Sequence, residues 1–282
     1  MFEKMTILGP GLLGASLAMA SRQKNLANKI VVWARRKEAA AKCKSQNWCN
    51  EAFVEIPEAV AGSQFVVICT PVRHIERIVS TISSNVYEGC LVTDVGSVKQ
   101  KICTKASESF KKSNAIFIGS HPMAGSDKTG MSHASNSLFE GRPCFVTPED
   151  KQDEHEIQKL VSFWKELGMQ VSTASPVEHD AIVAHLSHLP HAVAMVICNL
   201  LAKSPPKWNQ MSGQGLRDTT RIAAGDPAMW EEIFSQNRSA LLHAAKGFEK
   251  EFKEWIKILE EGNKSEILNQ LSNGKVFRDS LK

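Results

Sequence analysis

Residues 5–18 read MTILGPGLLGASLA. A short strand-like run, Met5 to Leu8, leads into Gly9, Gly11 and Gly14 in G-x-G-x-x-G spacing, and a helical stretch follows over about 12–24. Placed there, each glycine has a task. The first permits a tight turn, the second lets a pyrophosphate approach the backbone, and the third lets the helix pack closely, while the helix N-terminus faces the anion. Gly9, Gly11, Leu12, Leu13 and Gly14 are therefore expected to cradle a dinucleotide. An ordinary glycine turn is the alternative, and the position after the first strand of a βαβ unit weighs against it.

Outward from this stretch, strand-like runs recur at 29–34, 64–70, 90–95, 115–120 and 143–148, alternating with helical stretches at 37–46, 73–84 and 98–110. That alternation predicts an α/β fold whose N-terminal part is a Rossmann-type, doubly wound parallel sheet. After Pro148 the period turns helical at 153–168, a short strand MQVSTAS follows, and the rest reads as helix. Two domains are expected, 1–149 for the dinucleotide and 150–282 all-helical. Phe248, Phe252, Trp255, Ile256 and Leu259 share one helical face that needs a partner, within the chain or across a dimer.

With 282 residues, 43% hydrophobic and 23% charged, the chain can bury two ordinary cores. A net charge of +4 with interleaved signs gives no nucleic-acid signature. Seven scattered cysteines without a CxxC pair argue against a disulfide framework or a zinc knuckle and for reduced thiols. The start MFEKMTILGPG shows no signal-peptide pattern, and HAVAMVICNLLA is shorter than the roughly 18 residues a bilayer span requires. A soluble cytoplasmic protein without membrane or nucleic-acid partners is expected.

The second strand bears on which dinucleotide binds. An NAD site places an acid at the end of this strand to bond the ribose hydroxyls. Here VVWARRKE puts Ala34 at that place, with Arg35 and Arg36 just beyond. A guanidinium can grip the 2′-phosphate of NADP that a carboxylate would repel, so NADP is expected rather than NAD. A basic, solvated helix start is the alternative. Thr70, Pro71, Ser97 and Val98 follow two parallel strands and are candidates for the nicotinamide wall.

His121 comes at the end of AIFIGS, where it can take a proton from a substrate hydroxyl as hydride leaves, although a structural histidine would also fit a strand end. Downstream, His179, His185, His188 and His191 share a helical stretch. Metal binding is not expected, because 185 and 191 diverge by about 120° on a helix and no HExxH accompanies them. Pro190 should kink that helix, which brings His188 or His191 toward a pocket unless they are core histidines. Arg217 and Arg221 lie at i, i+4, suited to an anionic substrate or to a solvated face, with Asp218 placed to orient Arg221. Asp226 and Pro227 should start the next helix.

Taken together, GPGLLGASLA, CTPV, DVGSVK, SHPMAGSDKTG, LFEGRPCFVTP, EHDAIVAHLSHLPHAVA and GLRDTTRIAAGDPAMW, in that order over about residues 5–255, resemble the prephenate/arogenate dehydrogenase family of tyrosine biosynthesis. The resemblance implies oxidation of a ring C4 hydroxyl, hydride passing to the nicotinamide while the ring carboxylate leaves as carbon dioxide. It implies that His121 accepts the hydroxyl proton or hydrogen bond and that Ser97 helps hold both. Arg221 would clamp a substrate carboxylate, with Arg217 and His191 or His188 assisting. Ser126 and Asp127, in the glycine-rich loop, are substrate-side candidates, Asp127 either pairing with the ammonium of arogenate or organising the loop. The helical part would pair two subunits into a homodimer. The rival readings are another NADP-dependent β-hydroxy-acid-type dehydrogenase, which would need a lysine base in the helical part, and a non-catalytic NADP-binding sensor.

Overall fold

The computed structural model describes residues 1–111, 113, 115–125 and 128–281. Its first sheet is six-stranded and wholly parallel, in the order β3-β2-β1-β4-β5-β6. The elements are β1 (Phe2–Leu8), α1 (Leu12–Gln23), β2 (Ala27–Trp33), α2 (Lys37–Lys44), β3 (Glu51–Phe53), α3 (Ile56–Val60), β4 (Phe65–Ile68), α4 (Val72–Ile82), β5 (Leu91–Asp94), α5 (Gln100–Phe110) and β6 (Ile116–Phe117). After β3 the chain returns to lie beside β1, so the strand order reverses between β1 and β4. That reversal opens a crevice at their carboxyl ends, where α/β sheets take ligands.

The central strands are apolar on both sides, as strands covered on two faces must be. Ile7, Phe65 and Val67 join one core with Phe163 and Trp164, in which Phe65 stacks on Phe2 at 4.5 Å and meets Phe163 edge-on at 4.7 Å. Leu8, Val66 and Ile68 alternate to the other face and pack with Ile75, Val79 and Ile102.

The run 115–120, expected as one strand, divides at Ile118. Its first part ends the parallel sheet as β6, and β7 (Gly119–Pro122) starts a second sheet. There β8 (Pro143–Thr147) pairs antiparallel with β7 and parallel with β9 (Gln170–Thr173), so the 143–148 run is not part of the parallel sheet. Between them lies α6 (Glu154–Glu166), capped by Asp153, which accepts from His155 N at 3.0 Å.

The helical part holds α7 (Pro176–Val183), a π-helical turn (Ala184–His188), α8 (Leu189–Leu201), α9 (Gln214–Thr220), a 3-10 turn (Arg221–Ala224), α10 (Pro227–Gln236), α11 (Arg238–Glu261) and α12 (Lys264–Ser280). As expected, Asp226 caps α10, accepting from Met229 N at 2.8 Å with Pro227 at the first position. Two compact units result, Met1–Asn237 and Arg238–Lys282, and the boundary expected at 149/150 lies inside the first. In that unit α7 packs on α5 and α10 on α4. In the second unit α11 and α12 pack on each other, and Phe248, Phe252, Ile256 and Leu259 remain exposed along α11.

From α7 through α8 the chain is one helical run of 26 residues, Pro176–Leu201. By length and composition alone it could cross a membrane, with a mean hydropathy of 1.6, whereas the apolar stretch read from sequence was too short. Four buried polar side chains, His179, Asp180, His188 and His191, lie within it.

Candidate active site

The dinucleotide end follows from the glycines. Gly9 sits at φ +108°, a conformation open to glycine, and a Cβ there would lie 2.9 Å from Cys69 O. At Gly14 a Cβ would come within 2.0 Å of Gly9 O, so only hydrogen lets α1 start against the turn. Gly11 differs: it caps α1 at φ −73° and a Cβ would meet nothing within 4 Å. That open space in front of free helix amides is what a pyrophosphate needs. Leu12 and Leu13 supply the first turn, both half-buried, with Leu13 packed on the core.

A cavity of about 1000 Å³ runs from Gly9, Pro10 and Gly11 past Thr70 and Pro71 to Ala34, Arg35 and Arg36. Thr70 Oγ1 is buried without a hydrogen-bond partner among the described residues, a donor awaiting an acceptor. The crevice therefore fits a dinucleotide, with the end of β2 supplying two cations and no acid. Val98, expected in the nicotinamide wall, packs instead into the core with Ile102. Ser97 is half-buried in the turn between β5 and α5.

His121 lies within β7, opposite Phe145, rather than at the end of a parallel strand. Its Nδ1 is 2.9 Å from His179 Nε2, and His179 Nδ1 is 2.8 Å from Asp180 Oδ1. Asp180 also accepts Lys99 N at 2.7 Å and Gln100 N at 3.0 Å, which fixes it to the start of α5. These contacts determine the tautomers. A carboxylate receiving two amides takes the Nδ1 proton of His179, whose Nε2 then presents a lone pair to Nδ1–H of His121. His121 is left with Nε2 as an acceptor, and no hydrogen bond reaches it among the described residues.

Beneath the relay lies a buried ion pair. Lys99 Nζ donates to Asp94 Oδ2 and, at 2.8 Å, to Ser120 O, with Lys99 and Asp94 both fully buried. Asp94 Oδ2 accepts Gly96 N at 2.8 Å, shaping the turn that carries Ser97. Burial, then the neighbouring His179 and Lys99, hold His121 well below the usual histidine pKa, and burial lowers His179 as well. Both rings are neutral at ordinary pH, as the relay requires.

Pro190 lies in the first turn of α8, directly after a π-helical turn. The helix accommodates it through the π turn over Ala184–His188, a distortion frequent at functional sites. His188 becomes buried, its Nδ1 accepting from Asn237 Nδ2 across 3.2 Å, and burial pushes its pKa down to about 4. His191 stacks on Trp230 with centroids 3.6 Å apart, and its Nδ1 is buried without a partner among the described residues. Gly225 makes this stack possible, since a Cβ there would lie 2.5 Å from Trp230 Nε1.

Arg217 ends up on α9, and Arg221 opens the 3-10 turn that leads to Gly225. Both are exposed and neither forms an ion pair among the described residues. Asp218 does not orient Arg221 as expected: its Oδ1 accepts from Gln214 Nε2 at 2.7 Å, one turn back along the helix. Ser126 and Asp127 lie outside the described residues. Sequence reading missed His179 and Asp180 as members of the site. The available signal was a His-Asp pair in the first turn of a helix capped by Ser175.

The chain matches two family models, described as the nucleotide-binding domain of prephenate dehydrogenase over residues 17–173 and its dimerization domain over 175–273. A prephenate dehydrogenase of Bacillus subtilis is 29% identical over 292 residues, covering 100% of this chain and 76% of its own. A solved prephenate dehydrogenase of A. aeolicus, in complex with hydroxyphenyl propionate and NAD+, superposes with a TM-score of 0.92 at 30% identity, covering 100% of this chain and 99% of that one. Synechocystis arogenate dehydrogenase does so with a TM-score of 0.88 at 26% identity, over 99% and 100%.

Proposed function

Since the chain belongs to the prephenate dehydrogenase family, we propose that it is an NAD(P)-dependent dehydrogenase that oxidatively decarboxylates prephenate, arogenate or both, with His121 as the group that receives the hydroxyl proton. The observation that carries this reading is the chain Asp180–His179–His121, which keeps Nε2 of a neutral, buried imidazole as an acceptor.

The bound nicotinamide supplies the hydride acceptor. Gly9, Gly11 and the first turn of α1 would hold its pyrophosphate, and Thr70 and Pro71 the wall beside it. His121 Nε2 draws the proton from the ring C4 hydroxyl as the C4–H bond yields its electron pair. The C–CO2⁻ bond then breaks, its electrons complete the aromatic ring, and the proton returns to the ring oxygen, so substrate loses hydride and carbon dioxide and no net proton. Aromaticity drives this sequence, which leaves positioning and proton acceptance as the protein's share. Arg221 is the clamp for a substrate carboxylate, with Arg217 beside it. His191, with its unpartnered Nδ1, is a better hydrogen-bond donor or acceptor to substrate than His188, which Asn237 engages. Ser97 would steady the hydroxyl, and Ser126 and Asp127 remain substrate-side assignments from the loop.

NADP is the favoured cofactor in this chain because Arg35 and Arg36 line the cavity and Ala34 takes the place of the ribose-binding acid. The A. aeolicus relative was solved with NAD+, so the choice rests on this chain's own strand end. The exposed apolar face of α11 and the dimerization-domain match support a homodimer.

His121→Asn tests the assignment. Dinucleotide affinity should stay unchanged while turnover falls by about 10²-fold or more, as the loss of a general base does. Retained turnover would remove His121 from its role.

A further inference from the structure

The cavity beyond Arg35 has a second wall. His74, Arg77, Ile78 and Thr81 of α4 all line it, and their spacing of i, i+3, i+4 and i+7 makes them a single helical face. Arg35, Arg36 and Lys42 line the same cavity, and Arg35 and Arg77 both lie near enough to His74 for their charges to act on it. Among the described residues, Arg35, Arg36, Lys42 and Arg77 form no ion pair, whereas Arg73 at the start of α4 is taken by Glu232. Among the described residues, Glu55 is the one carboxylate on the cavity's lining. Unpaired guanidiniums gathered on one cavity repel, and a polyanion bound among them removes that cost. The pKa of His74 is lowered, first by burial and then by the charges of Arg73, Arg35 and Arg77, in keeping with a site that is positive before its ligand arrives.

We infer that Arg77 and His74 of α4 share with Arg35 the task of holding the 2′-phosphate of the adenosine ribose, so that cofactor choice is set by two walls and not by the end of β2 alone. This rests on the NADP reading above. Ile78 and Thr81, further along the same face, would flank the adenosine. Arg73 is excluded from the phosphate by its pairing with Glu232, whose Oε2 also accepts Arg73 N at 3.3 Å.

The test is titration of the full-length protein with 2′,5′-ADP and with 5′-AMP, which differ only in the 2′-phosphate, for the wild type, R35A, R77A and R77A/H74Q. The wild type should prefer 2′,5′-ADP. R77A should lose about tenfold in affinity for it, with 5′-AMP held within about twofold, as loss of one charge-assisted contact predicts. The added H74Q should deepen the loss. Unchanged 2′,5′-ADP binding in R77A alongside a loss in R35A overturns the second wall and leaves the NADP reading intact. Equal losses for both nucleotides assign Arg77 to adenosine or the shared phosphate and overturn the inference. A wild type without preference overturns the inference together with the NADP reading.

Discussion

His121 Nδ1 lies 2.9 Å from His179 Nε2, and through that contact Asp180 decides which nitrogen of His121 can receive a proton. Asp180→Asn reverses the relay. The amide introduced can donate to His179 Nδ1, which turns His179 Nε2 into a donor and His121 Nε2 into a protonated nitrogen. We expect kcat to fall by about 10²- to 10⁴-fold, as tautomer inversion in other histidine relays does, with dinucleotide affinity unchanged. Steady-state kinetics beside cofactor titration checks this, and kcat within about threefold of wild type would contradict it.

The pH profile of activity follows from burial of the same ring. Because burial holds His121 well below the usual histidine value near 6.5, it stays neutral and able to accept a proton as pH falls through 6.5. On the acid side, kcat/KM should therefore bend well under that value. A profile in which His121→Asn removes a bend at or above 6.5 would show that the ring titrates normally.

His188 makes stability pH-dependent. Its folded pKa of about 4 lies below the unfolded value near 6.5, so between these limits the unfolded chain binds more protons and stability rises with pH. The contribution is fully present above 6.5, is lost as pH falls toward 4, and amounts to on the order of 3 kcal/mol. Urea denaturation at several pH values should show this slope, reduced in His188→Gln. An identical slope in that variant would contradict the assignment.

Two glycines of one motif should fail differently. Gly14→Ala forces a Cβ to 2.0 Å from Gly9 O and should cost folding stability. Gly11→Ala meets nothing within 4 Å and should fold normally, yet lose dinucleotide affinity where the pyrophosphate approaches. Thermal melts with cofactor titrations separate the two, and normal binding by Gly11→Ala would displace the pyrophosphate from that position.

How much of this was legible in the chain depended on how local each signal was. The glycine turn, the β-branched runs at 29–34, 64–70 and 90–95 and the Asp226–Pro227 helix start are written within a few neighbouring residues, and each appears where its pattern placed it. The strand Glu51–Phe53 leaves no mark in the sequence because three residues carry no period, and nothing in the composition of 115–120 marks the break at Ile118. The relay was hidden for a different reason. His121 and His179 are 58 residues apart, and Asp180 earns its place through amides of Lys99 and Gln100, some 80 residues away. Pro190 announced a kink, but the π turn that buries His188 depends on packing that no single-helix pattern records.

The central claim is most directly tested by following nicotinamide reduction by the purified chain with prephenate and with arogenate, each paired with NADP and with NAD. Turnover on at least one of the two substrates, faster with NADP, is the expected result, and carbon dioxide should appear in equal amount to the reduced cofactor. No turnover with any pair, by folded protein that still binds the dinucleotide, would contradict it.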